Sequence, residues 1–365
     1  MDVIRKHSET MTSRERVRRA LNFEKYDRVP IDYTSNQTVH QRLCAYLGVN
    51  DYETFLQCLG VDYRGLNVPY VGKPLFEARE GMNVDPVYGF CSRWVENKFG
   101  GYNDFCYFPL KDADEEVIAN WPTPDADDFD YSQVENLVGF WNDKAIYTGH
   151  AGMCDIINSI GRVMGMEDTL VNLHIGDEAT LTLVERKIGF ELGVIERTLD
   201  KMHRAGRDAD FVWIGEDLGT QIAPMISHEL FERVFIPQIK RFVALADSYN
   251  IPVMMHSCGS SSWCYPDLIK IGVRSVDTLQ PEAANMSPQY LKENFGGKLA
   301  FHGCISTAML AEKDAEGVYD TCREILDTLV PCGGYQFAPT HAIQDNTPVE
   351  NIVAMYNAVH GYDVK

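Results

Sequence analysis

The sequence predicts an α/β protein built as a (β/α)8 TIM barrel, and three observations carry that expectation. Eight short apolar runs alternate with longer amphipathic stretches along the chain. The runs are apolar nearly throughout, as strands buried on both faces must be. No Gly-rich phosphate loop follows the first run, which disfavours an open doubly wound sheet. The eight strands are expected at 29–33, 61–68, 145–150, 211–216, 253–258, 275–280, 299–304 and 335–338.

The helical signals fall between these runs. Thr12-Ser-Arg-Glu15 is a capping-box pattern that opens a helix through Leu21. Asp27-Arg-Val-Pro-Ile-Asp-Tyr33 then reads as a short strand with proline near its start. Ser227-His-Glu-Leu230 looks like a second cap, and Leu230, Val234, Ile239, Val243 and Ala246 recur at near-helical spacing. A shorter helix, 265–271, is closed by Gly272. Another, 320–329, precedes the eighth strand. The stretch 72–142 is rich in aromatics, proline and acids and too long for a plain connection. It is expected to be an inserted lid or a small antiparallel excursion. No linker, repeat or low-complexity tract breaks the 365 residues, so one domain over 1–365 is expected.

Composition narrows the function. A net charge of −20 argues against naked nucleic acid or an anionic membrane as partner. No stretch approaches the ~20 apolar residues of a membrane span, and residues 1–9 lack the apolar core of a leader peptide. The ten cysteines form no CxxC pair and read as reduced thiols, which places the protein in the cytoplasm.

In such a barrel chemistry sits at the C-terminal ends of the strands. Those ends read Gly149-His150-Ala-Gly152, Gly215-Glu216-Asp217, His256-Ser-Cys258-Gly259, Leu279-Gln280-Pro-Glu282, His302-Gly-Cys304 and Ala338-Pro-Thr-His341. His256 and Cys258 are the sharpest pair. Residues i and i+2 of a strand share a face, and imidazole with thiolate suits zinc. His150 and His302 read either as functional groups or as hydrogen-bonded packing histidines, and Cys304 either as a ligand or as an inert buried thiol. Glu216 and Asp217 are carboxylates at the barrel mouth, where such groups orient a ligand, a metal-bound side chain or a substrate. Asp155 and Asn158, just past the third strand, are candidate substrate contacts together with Gln280 and His302.

These residues resemble the uroporphyrinogen decarboxylase-like superfamily, and within it the branch of zinc- and corrinoid-dependent methyltransferases. The likeness rests on Thr12-Ser-Arg-Glu-Arg-Val-Arg-Arg-Ala-Leu21 with Asp27-Arg-Val-Pro30, and on Glu216-Asp-Leu-Gly-Thr-Gln221 with Ser227-His-Glu-Leu-Phe231. It closes on His256-Ser-Cys-Gly259, Phe301-His-Gly303 and Asn346-Thr-Pro-Val-Glu-Asn-Ile352. True decarboxylases of the superfamily carry an Arg-Gln-Ala-Gly-Arg-Tyr-like motif near the first strand. Here that place reads Val29-Pro-Ile-Asp-Tyr-Thr-Ser-Asn-Gln37, without arginine, so a polycarboxylate substrate lacks its clamps.

The resemblance implies zinc held by His256, Cys258 and a residue of the loop after the last strand. Relatives place a cysteine in that loop, whereas this chain has His341. Glu216 or Cys304 is a possible fourth ligand. The implied reaction moves a methyl group between a small methylated substrate (methoxy, methylamine or methylthiol compound) and a corrinoid protein. Glu216, Asp217 and His150 are the candidate catalytic residues. No Asp-x-His-x-x-Gly cobalamin string is present, so the corrinoid would come on a partner, and relatives imply a homodimer. The aromatics of 94–108 are expected to line the methyl-donor pocket. The rival readings are a metal-independent decarboxylase or lyase of a small carboxylate, using Asp217 or His150, and a non-catalytic barrel that binds zinc or a corrinoid partner.

Overall fold

A computed structural model describes residues 4, 9–98 and 100–364, and the leader reading of residues 1–9 falls mostly outside them. Its centre is a curled parallel sheet of seven strands: β1 (Tyr63–Gly65), β5 (Ala145–Gly149), β6 (Phe211–Gly215), β7 (Val253–Ser257), β8 (Ser275–Thr278), β9 (Ala300–Ile305) and β10 (Tyr335–Pro339). Spatial order follows chain order, with helices returning the chain between most neighbours. Seven of the eight expected strands therefore form, each within a few residues of its expected place.

The remaining one, 29–33, makes only an isolated bridge, Ile31 with Phe337. It runs between the two edge strands: Pro30 C=O accepts from Phe337 N–H, Phe337 C=O accepts from Asp32 N–H, and Ile31 C=O accepts from Asp62 N–H. A full ladder cannot form there. Pro30 has no N–H to give, and the Ile31 N–H is taken by the Asp62 carboxylate at 2.9 Å.

Alternation along the strands builds the interior in layers. Tyr63, Ala145, Phe211, Met254 and Ala300 form the lowest layer, sealed from below by Val17 and Leu21 of helix Ser13–Leu21. The Thr12 hydroxyl caps that helix by accepting from Glu15 N–H, as the capping-box pattern predicts. Two residues further along each strand comes the next layer: Tyr147, Trp213, His256, Asp277 and His302. The packed floor thus ends where the polar groups begin.

A buried ion network locks the N-terminal motif in place. Arg16 and Arg28 both pair with the fully buried Asp62, each at 2.7 Å, and Arg16 also holds Asp27 at 2.7 Å. Burial works against charge on Asp62, but the two guanidiniums hold its pKa below the usual carboxylate range. The Arg and Asp residues that carried part of the family resemblance are thus architectural.

The stretch 72–142 contains an antiparallel sheet, β2 (Asn83–Val84), β3 (Cys91–Asn97) and β4 (Gly100–Tyr107), followed by helices Glu115–Ala119 and Val134–Phe140. Tyr88 fastens it to helix Glu178–Arg204, its hydroxyl donating to the buried Glu191 at 2.8 Å. The expected helix after Ser227 begins with one turn, widens to a π turn over Phe231–Phe235 and continues as Ile236–Ser248. Pro237, at the junction, has no N–H to continue the regular α ladder. Among the described residues no helix is long and apolar enough to cross a membrane.

Candidate active site

At the C-terminal ends of the strands lies a cavity of about 1060 Å³, and its floor is the upper layer of interior side chains. The register of β7, β8 and β9 places His256 beside Asp277 and Asp277 beside His302. Asp277 bridges both imidazoles: one oxygen meets His256 Nδ1 at 2.7 Å, the other His302 Nδ1 at 2.6 Å. His302 Nε2 reaches Asp32 at 3.2 Å. With Nδ1–H donated to a carboxylate, the neutral His256 ring directs its Nε2 lone pair at the cavity.

Three donors converge there. His256 Nε2, Cys258 Sγ and an Asp217 oxygen all lie within 4.8 Å of one another. The sulfur is 3.4 Å from Nε2, and Asp217 Oδ1 is 3.7 Å from it. Asp217 is fixed from both sides, accepting the Cys258 backbone N–H at 2.8 Å and the Asn158 amide at 2.9 Å. Gly259 lets the chain turn away directly after the thiol. Its φ is +71°, and a Cβ there would strike the Gly219 carbonyl. The Gln280 side chain accepts the Gly259 N–H at 2.6 Å and braces the same turn.

Charges compete with metal at these donors, because an ion bound there must displace the protons that the site holds. Burial opposes protonation of His256, but its hydrogen bonds to Asp277 and Cys258 outweigh burial and hold its pKa well above the ordinary value. The same balance lifts His302 to about 9, with Asp277 and Asp32 overcoming burial. Burial pushes the Cys258 thiol up while contact with His256 pulls it down, and the net direction is up. Asp155, on the cavity wall, is lifted to about 6 by burial. A cysteine sulfur that binds metal as its thiolate, an imidazole oriented by a carboxylate and a carboxylate oxygen form a donor set that fits zinc.

Several expected site residues are placed differently. His341 lines the cavity from the loop after β10 but is exposed and outside the mutually close donor group, where Asp217 stands instead. Glu216 shares the outward parity of Val212 and Ile214. It is buried, and its carboxylate accepts the amides of Ile156 and Ile157 at the start of helix Ile157–Met164. Cys304 is fully buried and outside the donor group, because positive φ at Gly303 and Cys304 breaks the strand alternation. Gln280 is likewise displaced by positive φ at Thr278 and Leu279 and braces a turn rather than the cavity wall. His150 does line the cavity, its Nδ1 accepting Gly152 N–H at 3.0 Å, and burial lowers its pKa. Asp155, Asn158 and His302 line it too. Trp94 and Tyr102 are more than half exposed, and the antiparallel excursion reaches the cavity through Asp85, Tyr88 and Phe90. The sequence reading missed Asp277 and Asp32. Asp277 carried one usable signal, a carboxylate inside the apolar run Ser275-Val-Asp-Thr278.

Fold and site together define an α/β protein with a His–Cys–Asp donor group at the strand ends of a curled parallel sheet. Residues 194–362 match the family model described as Uroporphyrinogen decarboxylase (URO-D), so the superfamily resemblance stands. Among solved structures the chain is similar to a methyltransferase from Methanosarcina mazei, at 18% identity and a TM-score of 0.61, covering 95% of this chain and 98% of that one. A protein assigned as a vitamin-B12 independent methionine synthase from Listeria monocytogenes aligns at 10% identity over 91% of this chain and 96% of that one. Its TM-score of 0.35 carries no argument. Comparison with curated proteins finds no match.

Proposed function

We propose that this chain is a zinc-dependent methyltransferase that moves a methyl group between a small methylated substrate and a corrinoid protein. The observation that carries the reading is the convergence of Asp217, His256 and Cys258 on the floor of the large cavity, with Asp277 holding His256 in the ligating tautomer. A solved structure of similar fold belongs to a protein named as a methyltransferase, which supports the reading. The segment 29–33, hydrogen-bonded toward both sheet edges, is read as the stave that closes a (β/α)8 barrel around this floor.

Asp217, His256 and Cys258 would hold the metal. Bound there, zinc supplies a Lewis acid that withdraws electron density from the heteroatom carrying the methyl group. The chain's own residues do the rest. Asp277 keeps a proton on His256 Nδ1 and fixes the ring plane through its second bond to His302. Asn158 fixes Asp217. Asp155, lifted to about 6, holds or releases a proton near neutrality at the cavity wall. A corrinoid, as methyl donor or acceptor, would be supplied by a separate protein.

Metal analysis tests the reading directly. Purified protein is expected to carry about one zinc per chain, and Cys258→Ala and Asp217→Asn are expected to lose it together with methyl transfer to cob(I)alamin, followed by absorbance. His341→Ala is expected to keep the metal. Stoichiometric zinc in Asp217→Asn with loss in His341→Ala would move the third ligand to the loop. Absence of zinc from the unsubstituted protein would end the proposal.

A further inference from the structure

The cavity wall is unbalanced in charge. Five aspartates line it, against one arginine and no lysine. Asp277 and Asp32 are engaged by histidine, and Asp217 belongs to the donor group. Asp155 and Asp85 are left over. Asp155 accepts the Asn158 backbone N–H, and Asp85 accepts those of Val87 and Tyr88. Neither has a salt-bridge partner among the described residues. The one arginine, Arg162, lies with its guanidinium over Phe105 at 4.9 Å and over Phe90 at 5.6 Å, and it acts on Asp155 together with Lys187 from a distance, without an ion pair.

Ring faces complete the wall. Tyr147 and Trp213 meet at 78° with centroids 5.4 Å apart, and Trp213 stands 6.4 Å from the His256 ring. They form an aromatic corner directly beside the donor group. Tyr88 and Phe90 face the cavity from the antiparallel excursion. A cavity wall built from ring faces and carboxylates attracts compact organic cations and repels anions.

We propose that the substrate of this cavity is a cation. It carries an ammonium-type group held on the aspartate and aromatic side of the wall, while its methylated or methyl-accepting atom faces the donor group. This deepens the methyltransferase reading of the same site. Its test reads binding rather than transfer, so the two can fail separately.

The test uses three probes of nearly equal shape on the purified full chain, with and without added zinc, by titration calorimetry. They are choline, its uncharged carbon isostere 3,3-dimethylbutan-1-ol, and the anion 3,3-dimethylbutanoate. Choline is expected to bind at least about tenfold more tightly than the isostere, and its affinity should fall with rising salt. Trp213→Leu and Asp155→Asn should each reduce the choline preference several-fold while leaving isostere binding little changed. Two separate variants guard against a folding defect in either one. Equal binding of choline and isostere, tighter binding of the butanoate, or no measurable choline binding would each overturn the proposal. Loss of methyl transfer with the cation preference intact would instead count against the methyltransferase reading alone.

Discussion

Replacing Asp277 with asparagine puts the bridge between the two imidazoles under test. The carboxylate accepts from His256 Nδ1 at 2.7 Å and from His302 Nδ1 at 2.6 Å, in a place from which water is nearly excluded. An amide has one acceptor oxygen and one donor nitrogen, so it can satisfy one ring and must present N–H to the other. If His256 meets the N–H, its proton moves to Nε2 and the metal-facing lone pair is lost. Removing such an outer partner costs about 10- to 100-fold in metal affinity, roughly 1.4 to 2.7 kcal/mol.

The same substitution removes most of the support for charged His302, whose pKa rises from 6.5 to about 9. The folded state holds that proton more tightly than the unfolded chain. The stabilisation is therefore complete below about pH 6.5 and disappears as pH rises through about 9, amounting to roughly 3 kcal/mol. Asp32, at 3.2 Å, preserves part of it. Competition with a chromophoric chelator measures the zinc constant, and urea unfolding of the metal-free protein between pH 6 and 9.5 measures the linkage. An Asp277→Asn protein with unchanged zinc affinity and an unchanged slope of stability against pH would refute the bridging role.

Three further outcomes are expected. Asp62→Ala leaves Arg16 and Arg28 as buried charges without their shared partner and should cost about 3 to 5 kcal/mol in equilibrium unfolding; a loss below ~1 kcal/mol would show that the network is not needed. Tyr88→Phe removes a hydrogen bond to a buried carboxylate, worth about 1.5 to 3 kcal/mol, and should speed proteolytic cutting within 83–107 more than elsewhere. Glu216→Ala should lower stability by about 1 to 3 kcal/mol by leaving the buried amides at 156 and 157 without their acceptor, yet leave zinc content unchanged; loss of zinc would return Glu216 to the metal.

Much of the architecture was legible because buried parallel strands write themselves as apolar runs, and caps such as Thr12 and Ser227 write themselves as local patterns. His256 and Cys258 were legible for the same reason, since alternation within one strand needs no knowledge of its neighbours. Asp277 was not legible. Its role depends on standing beside His256 on one side and His302 on the other, and that register is set between strands. Glu216, not Asp217, was read as a possible metal ligand, although adjacent strand residues point to opposite sides and the parity of Phe211 and Trp213 favours Asp217. Cys304 and Gln280 were misplaced because left-handed turns at 303–304 and 278–279 interrupt the alternation that the reading assumed.

The segment 29–33 imposes an order on folding. Its partners are Asp62, met early in the chain, and Phe337, which lies more than three hundred residues later. Tyr63 reaches similarly far, donating to Gln336 at 2.6 Å. During synthesis the Arg16–Asp62–Arg28 cluster can assemble first, but the edges of β1 and β9 stay open until the last strand, β10, emerges. Contacts of such long sequence separation make folding slow, and open strand edges make the unfinished chain prone to association. A chain cut before residue 335 should therefore aggregate, although all three residues of its donor group are already present.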